Sequence, residues 1–403
     1  MAQGPYAGRA MSKTRSLEPV TASPGNIHEV MAALRDALSG GPAVLPLPVG
    51  PEPTRTSLLD SLRPDLPLEE GVSFVVPTSG STGEPKGVLL SEEAVLASVK
   101  ATQARLGGAG RWLLALPATH IAGLMVLARS AVGGSDPLVL DLSGGFDAET
   151  FAAATVRLLA ESRDHHYTSL VPKQLAAIIG AGGCALEALA AYDAVLLGGS
   201  PAAPDLVARA RGAGVEVVVT YGMTETCGGC VYDGVPLDGV EVEVGTDGRI
   251  RLAGPMLANG YRLRPDLTKD AFAHGWFITS DAGRLDAEGR LHVTGRIDDV
   301  AITGGVNVPL AAIDAAVASH PDVEEACAVA VPDAEWGERI VVAIVGAAEG
   351  PPSLESVRTH VTKSLPSAYA PKELIVVDTL PMLSGQKVDR QAMTTRLLEG
   401  LTG

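Results

Sequence analysis

Apolar residues recur at helical spacing at Ile27, Val30, Met31, Leu34 and Leu38, and the run over 43–47 that follows has the make-up of a strand. Phe74, Val75 and Val76 read as a second buried strand. From there to Val219, short apolar runs alternate with amphipathic stretches: strands are expected over 112–116, 138–140, 194–197 and 215–219, and helices over 148–161, 172–180 and 201–211. Such alternation predicts parallel strands joined by helical crossovers, an α/β architecture. After Tyr221 the texture changes. Tight turns such as TDG at 246–248 and DAEG at 286–289 predict a small antiparallel or barrel-like β subdomain. Past Arg296 the pattern is α+β, with helices over 309–319 and 353–363 and strands over 323–331, 339–346 and 373–377. The predicted organisation is a flexible tail over 1–25, a large N-terminal domain of layered sheets and helices over 26–297, and a small α+β C-terminal domain over 298–403, with the boundary near Asp298.

Composition sharpens this picture. With 46% hydrophobic content, 403 residues can bury a large core in more than one domain. The 31 Lys and Arg stand against 47 Asp and Glu, a formal charge of -16, and no basic run interrupts that background. Nucleic acid and anionic membrane are therefore poor partners, and an anionic substrate must be held by a few local cations, backbone amides and a metal ion. No apolar run reaches membrane-spanning length and no signal-peptide core opens the chain, so a soluble cytoplasmic protein is expected, with Met11 as its natural start. Whether it is a monomer or a homo-oligomer the sequence leaves open. Four cysteines make no disulfide framework; Cys227 and Cys230 have a spacing that can hold zinc or cycle redox, but no second such pair accompanies them.

The chemistry concentrates in a few segments. PTSGSTGEPKGV, residues 77–88, follows the β-branched run. Gly80, Gly83 and Gly87 let the backbone approach an anion, Thr78, Ser79, Ser81 and Thr82 supply hydroxyls, and Lys86 adds a mobile positive charge. This is polyphosphate chemistry without the Walker spacing, so the chain is not a P-loop NTPase. Ser91 is placed to cap a helix whose first turn carries Glu92 and Glu93. TYGMTET, residues 220–226, follows an apolar strand and so lies where open α/β sheets bind ligands. There Glu225 offers a hard oxygen ligand for Mg²⁺, Thr224 a hydroxyl for phosphate, and Tyr221 a flat ring for a nucleobase.

Together these segments resemble the adenylate-forming superfamily, which joins acyl-CoA synthetases, peptide-synthetase adenylation domains and luciferases. The resemblance covers roughly residues 70–395. It implies a nucleotide loop at LLGGSPAAP, 196–204, with Gly198, Gly199 and Ser200 against adenine beside Tyr221 and Gly222. In GWFITSDAGRLDAEGRLHVTGRIDDVAITGG, 275–305, it implies Asp281 on the ribose hydroxyls, Arg296 on ribose or phosphate, and Asp298 as a hinge about which the C-terminal domain moves. Ser280 and Thr303 stand where the family has glycine and often lysine. LPMLSGQKVDR, 380–390, resembles the motif whose lysine, here Lys387, contacts the acyl carboxylate and the α-phosphate; Gln386 replaces the glycine that usually precedes it. His120 in LPATHIAGL matches a gate beside the acyl pocket. Length, LPATHIAGL and YTSLVPKQL are similar to the o-succinylbenzoate:CoA ligases of menaquinone biosynthesis. That implies an enzyme using ATP, CoA, Mg²⁺ and a small-molecule carboxylic acid. Lys173, where a strand end runs into a helix, reads as a solvated helix-start lysine ahead of a partner for the acid's second carboxylate. Another aryl- or acyl-CoA ligase, a stand-alone adenylation enzyme and a noncatalytic nucleotide sensor are the alternatives.

Overall fold

The computed structural model describes residues 15–50, 52–79, 85–347, 350–382 and 388–401. Strands and helices form four sheets with their covering layers. In the central seven-stranded sheet, Leu138–Val139, Gly110–Leu114, His165–Leu170, Ala194–Leu197 and Val217–Met223 run parallel, and Gly228–Tyr232 and Val235–Pro236 extend it antiparallel. Helices Ala148–Glu161, Pro172–Ala181, Gly183–Ala190 and Pro204–Gly212 cover one face and bury Phe151, Leu175, Leu189 and Leu206 there. The other face meets Glu92–Leu106 and Ile121–Val132 in a core containing Trp112, Met125 and Tyr167. The parallel, helix-crossed sheet is the one the alternating pattern predicts. Pro204 occupies the first turn of its helix and sets its start three residues later than expected, since proline fits where no amide donor is required.

Part of the stretch expected as one loop over 77–88 is strand: Val72–Ser79 runs on to Ser79 and Pro85–Ser91 follows. They pair antiparallel as a hairpin in a five-stranded sheet with Leu17–Ala22, Ala43–Pro48 and Gly260–Tyr261. Val88, Leu89 and Leu90 form an apolar run too short to read as a strand alone, yet all three are buried against their partners. Ser91 then caps the helix as expected, its Oγ accepting from the Ala94 amide at 3.1 Å. Of the expected tail over 1–25, residues 1–14 lie outside the described residues, and the rest is corrected: Leu17–Ala22 pairs parallel with Ala43–Pro48, and Leu17 is buried.

The third sheet joins Glu241–Val244, Arg249–Ala253, Trp276–Leu285, Phe272–Ala273 and Leu291–Arg296 antiparallel, around Ile250, Leu252 and Phe277. The fourth sheet contains Val300–Thr303, Val306–Pro309, Val323–Asp333, Gly337–Gly346 and Glu373–Val376. Leu310–Ala318 and Leu354–Thr362 pack on one of its faces, and Arg390–Leu401 on the other. No described helix is long and apolar enough to cross a membrane.

Candidate active site

The hairpin Val72–Ser79/Pro85–Ser91 carries Thr78 and Lys86 as cross-strand partners at the end joined through residues 80–84. Its base is packed without slack: a Cβ on Gly87 would lie 2.6 Å from Leu62 Cδ2 and 2.8 Å from Val75 Cγ1. Residues 258–262 stitch this hairpin to the turn that holds Glu225. The Ala258 amide donates to the Glu225 carbonyl, the Asn259 amide to Leu89, and the Arg262 amide to Gly87, each at 2.8 Å. The Arg262 guanidinium is fully buried and donates to Glu69 at 2.7 Å, Leu66 O at 3.0 Å and Arg63 O at 2.6 Å, so it pins the preceding loop as well.

The strand Val217–Met223 runs four residues further than expected, because Gly222 lies against Gly229 of the next strand. A Cβ on Gly222 would be 2.0 Å from the Gly228 carbonyl oxygen, so only glycine fits. Gly198 is held as closely, its hypothetical Cβ being 2.4 Å from Thr220 Oγ1. Gly199 adopts φ +84 and Ser200 is exposed beside it, at the carboxyl end of Ala194–Leu197. Thr224 is buried and Glu225 half-buried in the short turn after Met223. Glu225 accepts from the Tyr261 hydroxyl at 2.9 Å, and the Lys86 ammonium sits 5.6 Å from the centre of the Tyr261 ring.

Four residues before Glu225, the Tyr221 hydroxyl donates to Asp281 Oδ2 at 2.8 Å. Burial, and then the neighbouring carboxylate, hold both Tyr221 and Tyr261 well above the ordinary phenol pKa, so both remain donors. Asp281 pairs across the third sheet with Arg296, whose guanidinium forks onto Asp298 at 3.2 and 2.7 Å. Burial lowers the Arg296 pKa, but the Asp298 contact together with the charges of Asp281 and Asp299 outweighs it and leaves a firmly charged cation. The expected nucleotide residues Lys86, Glu225, Tyr221, Asp281 and Arg296 are thus linked through Tyr261 and the 221–225 turn into one strip.

His120 is half-buried at the N-cap of Ile121–Val132, and Gly228 packs on Ile121 and Met125 of that helix. Lys173 is 69% exposed and paired with Glu325 at 2.5 Å, in keeping with the solvated helix-start reading and not with a partner for a buried carboxylate. Cys227 and Cys230 are buried; desolvation raises the first thiol and pushes the second up to about 12, so neither is a ready metal ligand or nucleophile. Gly80, Ser81, Thr82, Gly83 and Lys387 lie outside the described residues, and of Ser79 the strand backbone alone is described. Tyr261 and Arg262 were not anticipated from sequence. The cue available was a buried-strand aromatic, one of only seven tyrosines, followed at once by an arginine.

Among the described residues no three His, Cys, Asp or Glu side chains gather as a metal cluster. A Mg²⁺ ion carried by a polyphosphate needs only one or two protein carboxylates, the rest of its shell being phosphate and water, so Glu225 fits that role.

Residues 43–262 match the AMP-binding enzyme family and residues 312–387 the AMP-binding enzyme C-terminal domain. The chain is 45% identical over 372 residues to the probable 2-succinylbenzoate–CoA ligase of Mycobacterium tuberculosis (strain CDC 1551 / Oshkosh), covering 91% of this chain and 94% of that one. The o-succinylbenzoate coenzyme A synthetase of Bacillus subtilis in complex with AMP superposes with TM-score 0.73 at 26% identity, over 90% of this chain and 80% of that one. The same enzyme in complex with ATP and magnesium ion shares the fold, with TM-score 0.75 at 24% identity over 95% and 90% of the two chains. The chain belongs to the AMP-binding enzyme family.

Proposed function

We propose that the chain is an AMP-forming 2-succinylbenzoate–CoA ligase, working in the cytoplasm with ATP, CoA and Mg²⁺. Support for the substrate comes from the near full-length likeness to the mycobacterial ligase. The nucleotide reading is carried by the contact strip in which Lys86, Glu225, Tyr221 and Asp281 are joined by two tyrosine–carboxylate bonds.

In the first half-reaction an oxygen of the aliphatic carboxylate attacks the α-phosphorus of ATP. The bond from that phosphorus to the bridging oxygen breaks, and pyrophosphate leaves with its electron pair. Bringing carboxylate and phosphate to about 4 Å costs on the order of 4 kcal/mol at an effective dielectric near 20, a repulsion that Lys387 offsets in this reading. Lys86 and the hydroxyls and amides of residues 78–83 hold the leaving phosphates, and Glu225 holds Mg²⁺, which neutralises phosphate charge. Asp281 accepts from the ribose hydroxyls, Arg296 steadies the ribose or phosphate, and Gly198, Gly199, Ser200, Tyr221 and Gly222 border the adenine. In the second half-reaction the CoA thiolate sulfur attacks the acyl carbon and AMP leaves. The segment beyond Asp298 rotates between the two steps, and His120 borders the acyl group.

Acid-dependent release of pyrophosphate from ATP tests the reading. Release with 2-succinylbenzoate, and none without an acid, supports it; ATP binding without any acid-dependent release would make the chain a nucleotide sensor instead.

A further inference from the structure

Tyr261 is buried to 8% exposure and belongs to none of the segments that bear nucleotide chemistry, yet its side chain touches two of them. Its hydroxyl donates to Glu225 Oε1 at 2.9 Å, and its ring lies 5.6 Å below the Lys86 ammonium. Its backbone is equally committed: Tyr261 pairs with Val88, two residues from Lys86, while Ala258 holds the Glu225 carbonyl. The flanking Arg262 anchors the segment through a fully buried guanidinium, so the ring stands on a rigid base.

Resting on the nucleotide reading above, we propose that Tyr261 is a positioning residue that sets the orientation of the Glu225 carboxylate for the metal–triphosphate and couples it to Lys86. A glutamate has three side-chain torsions, and a carboxylate meant to ligate a small hard cation must present one oxygen along a fixed direction. The phenol hydroxyl fixes that plane from outside the metal's own shell. Hydrogen-bond partners of this kind, when removed, typically cost about 10- to 100-fold in metal affinity or activity. The ring has a separate effect: a cation over an aromatic face is held by the ring's quadrupole, and phenylalanine retains that face. Tyr261→Phe therefore removes the grip on Glu225 while leaving the support of Lys86.

The test is calorimetric binding of ATP with and without Mg²⁺, to the parent, Tyr261→Phe, Glu225→Gln and the double variant. For Tyr261→Phe, ATP affinity without Mg²⁺ stays within about twofold of the parent, while the tightening produced by Mg²⁺ falls by about tenfold or more. Adding Tyr261→Phe to Glu225→Gln removes nothing further from the Mg²⁺ effect, because the hydroxyl acts through that carboxylate. Equal weakening with and without Mg²⁺, an unchanged Mg²⁺ effect, or additive losses in the double variant would each overturn the inference. A parent that binds no ATP under either condition would overturn the nucleotide reading itself, and this inference with it.

Discussion

The Tyr221 hydroxyl lies 2.8 Å from Oδ2 of Asp281, joining two residues sixty positions apart and from different sheets. The contact repeats in form the Tyr261–Glu225 bond at 2.9 Å, so the two carboxylates expected to face the nucleotide are each held by a buried phenol. Tyr221 thus has an edge that fixes a carboxylate, while its ring face is the one proposed to meet adenine.

That arrangement predicts how the protein responds to alkali. Burial raises Tyr221, Tyr261 and Tyr192 well above the ordinary phenol value and pushes Tyr167 up to about 12. The folded pKa exceeds the unfolded one, so the stability these groups contribute is intact below about pH 10 and declines as pH rises beyond it, where the unfolded chain releases protons. In a spectrophotometric titration of the folded protein at least four of the seven tyrosines stay protonated past pH ~10.5, and they ionise together with unfolding. Seven phenols titrating near pH 10 before any loss of structure would contradict the burial.

Gly222→Ala probes the crossing of the two strands below the site. Its Cβ would meet the Gly228 carbonyl oxygen at 2.0 Å, and a backbone atom cannot swing aside. Overpacking of this kind costs about 1–3 kcal/mol. Because Tyr221 and Glu225 flank the displaced residue, urea unfolding should report that loss together with a KM for ATP raised by about tenfold. Parental stability and KM would show that the strands part more easily than the geometry allows.

Arg262→Met should destabilise by about 1–3 kcal/mol, the range for leaving buried acceptors without a donor, since the carbonyls of Leu66 and Arg63 lose the guanidinium and Glu69 keeps only the Leu263 amide. Denaturant unfolding measures this directly. A change below about 1 kcal/mol would mean that water replaces the guanidinium at no cost.

The half-reactions separate the roles on either side of residue 298. Lys86→Ala should slow adenylate formation by roughly 10² or more. Lys387→Ala should do the same while sparing thioester formation from preformed acyl-adenylate. Asp298→Pro, which fixes φ at the proposed hinge, should leave adenylation near the parental rate and depress CoA transfer. Rapid-quench assays of each step decide it: equal loss of both steps in Asp298→Pro would remove the hinge role, and Lys387→Ala forming adenylate at the parental rate would remove that lysine from the chemistry.

The parallel sheet was legible because its strands are continuous apolar runs bounded by helices of the right length, as at 194–197 and 148–161. The site residues were legible where chemistry is concentrated in one segment: a glycine-, hydroxyl- and lysine-bearing loop, or a lone glutamate after a strand. What sequence could not give is the set of contacts between segments. Leu17–Ala22 lies in a stretch that reads as tail, and its order comes from pairing with Ala43–Pro48. Nothing local marks Tyr261 as the partner of Glu225, thirty-six positions away, or Arg262 as the anchor of residues 63–69. The exposed, helix-start place of Lys173 is legible in the sequence, but its ion pair with Glu325 depends on how a distant sheet packs.

The most direct measurement is mass spectrometry of the products formed from 2-succinylbenzoate, ATP, Mg²⁺ and CoA, run beside benzoate and an analogue with hydrogen in place of the aromatic carboxylate. The account predicts 2-succinylbenzoyl-CoA with AMP and pyrophosphate in equal amounts, and a strong preference for the dianion over both comparison acids. Efficient benzoyl-CoA formation with no thioester from 2-succinylbenzoate would contradict it.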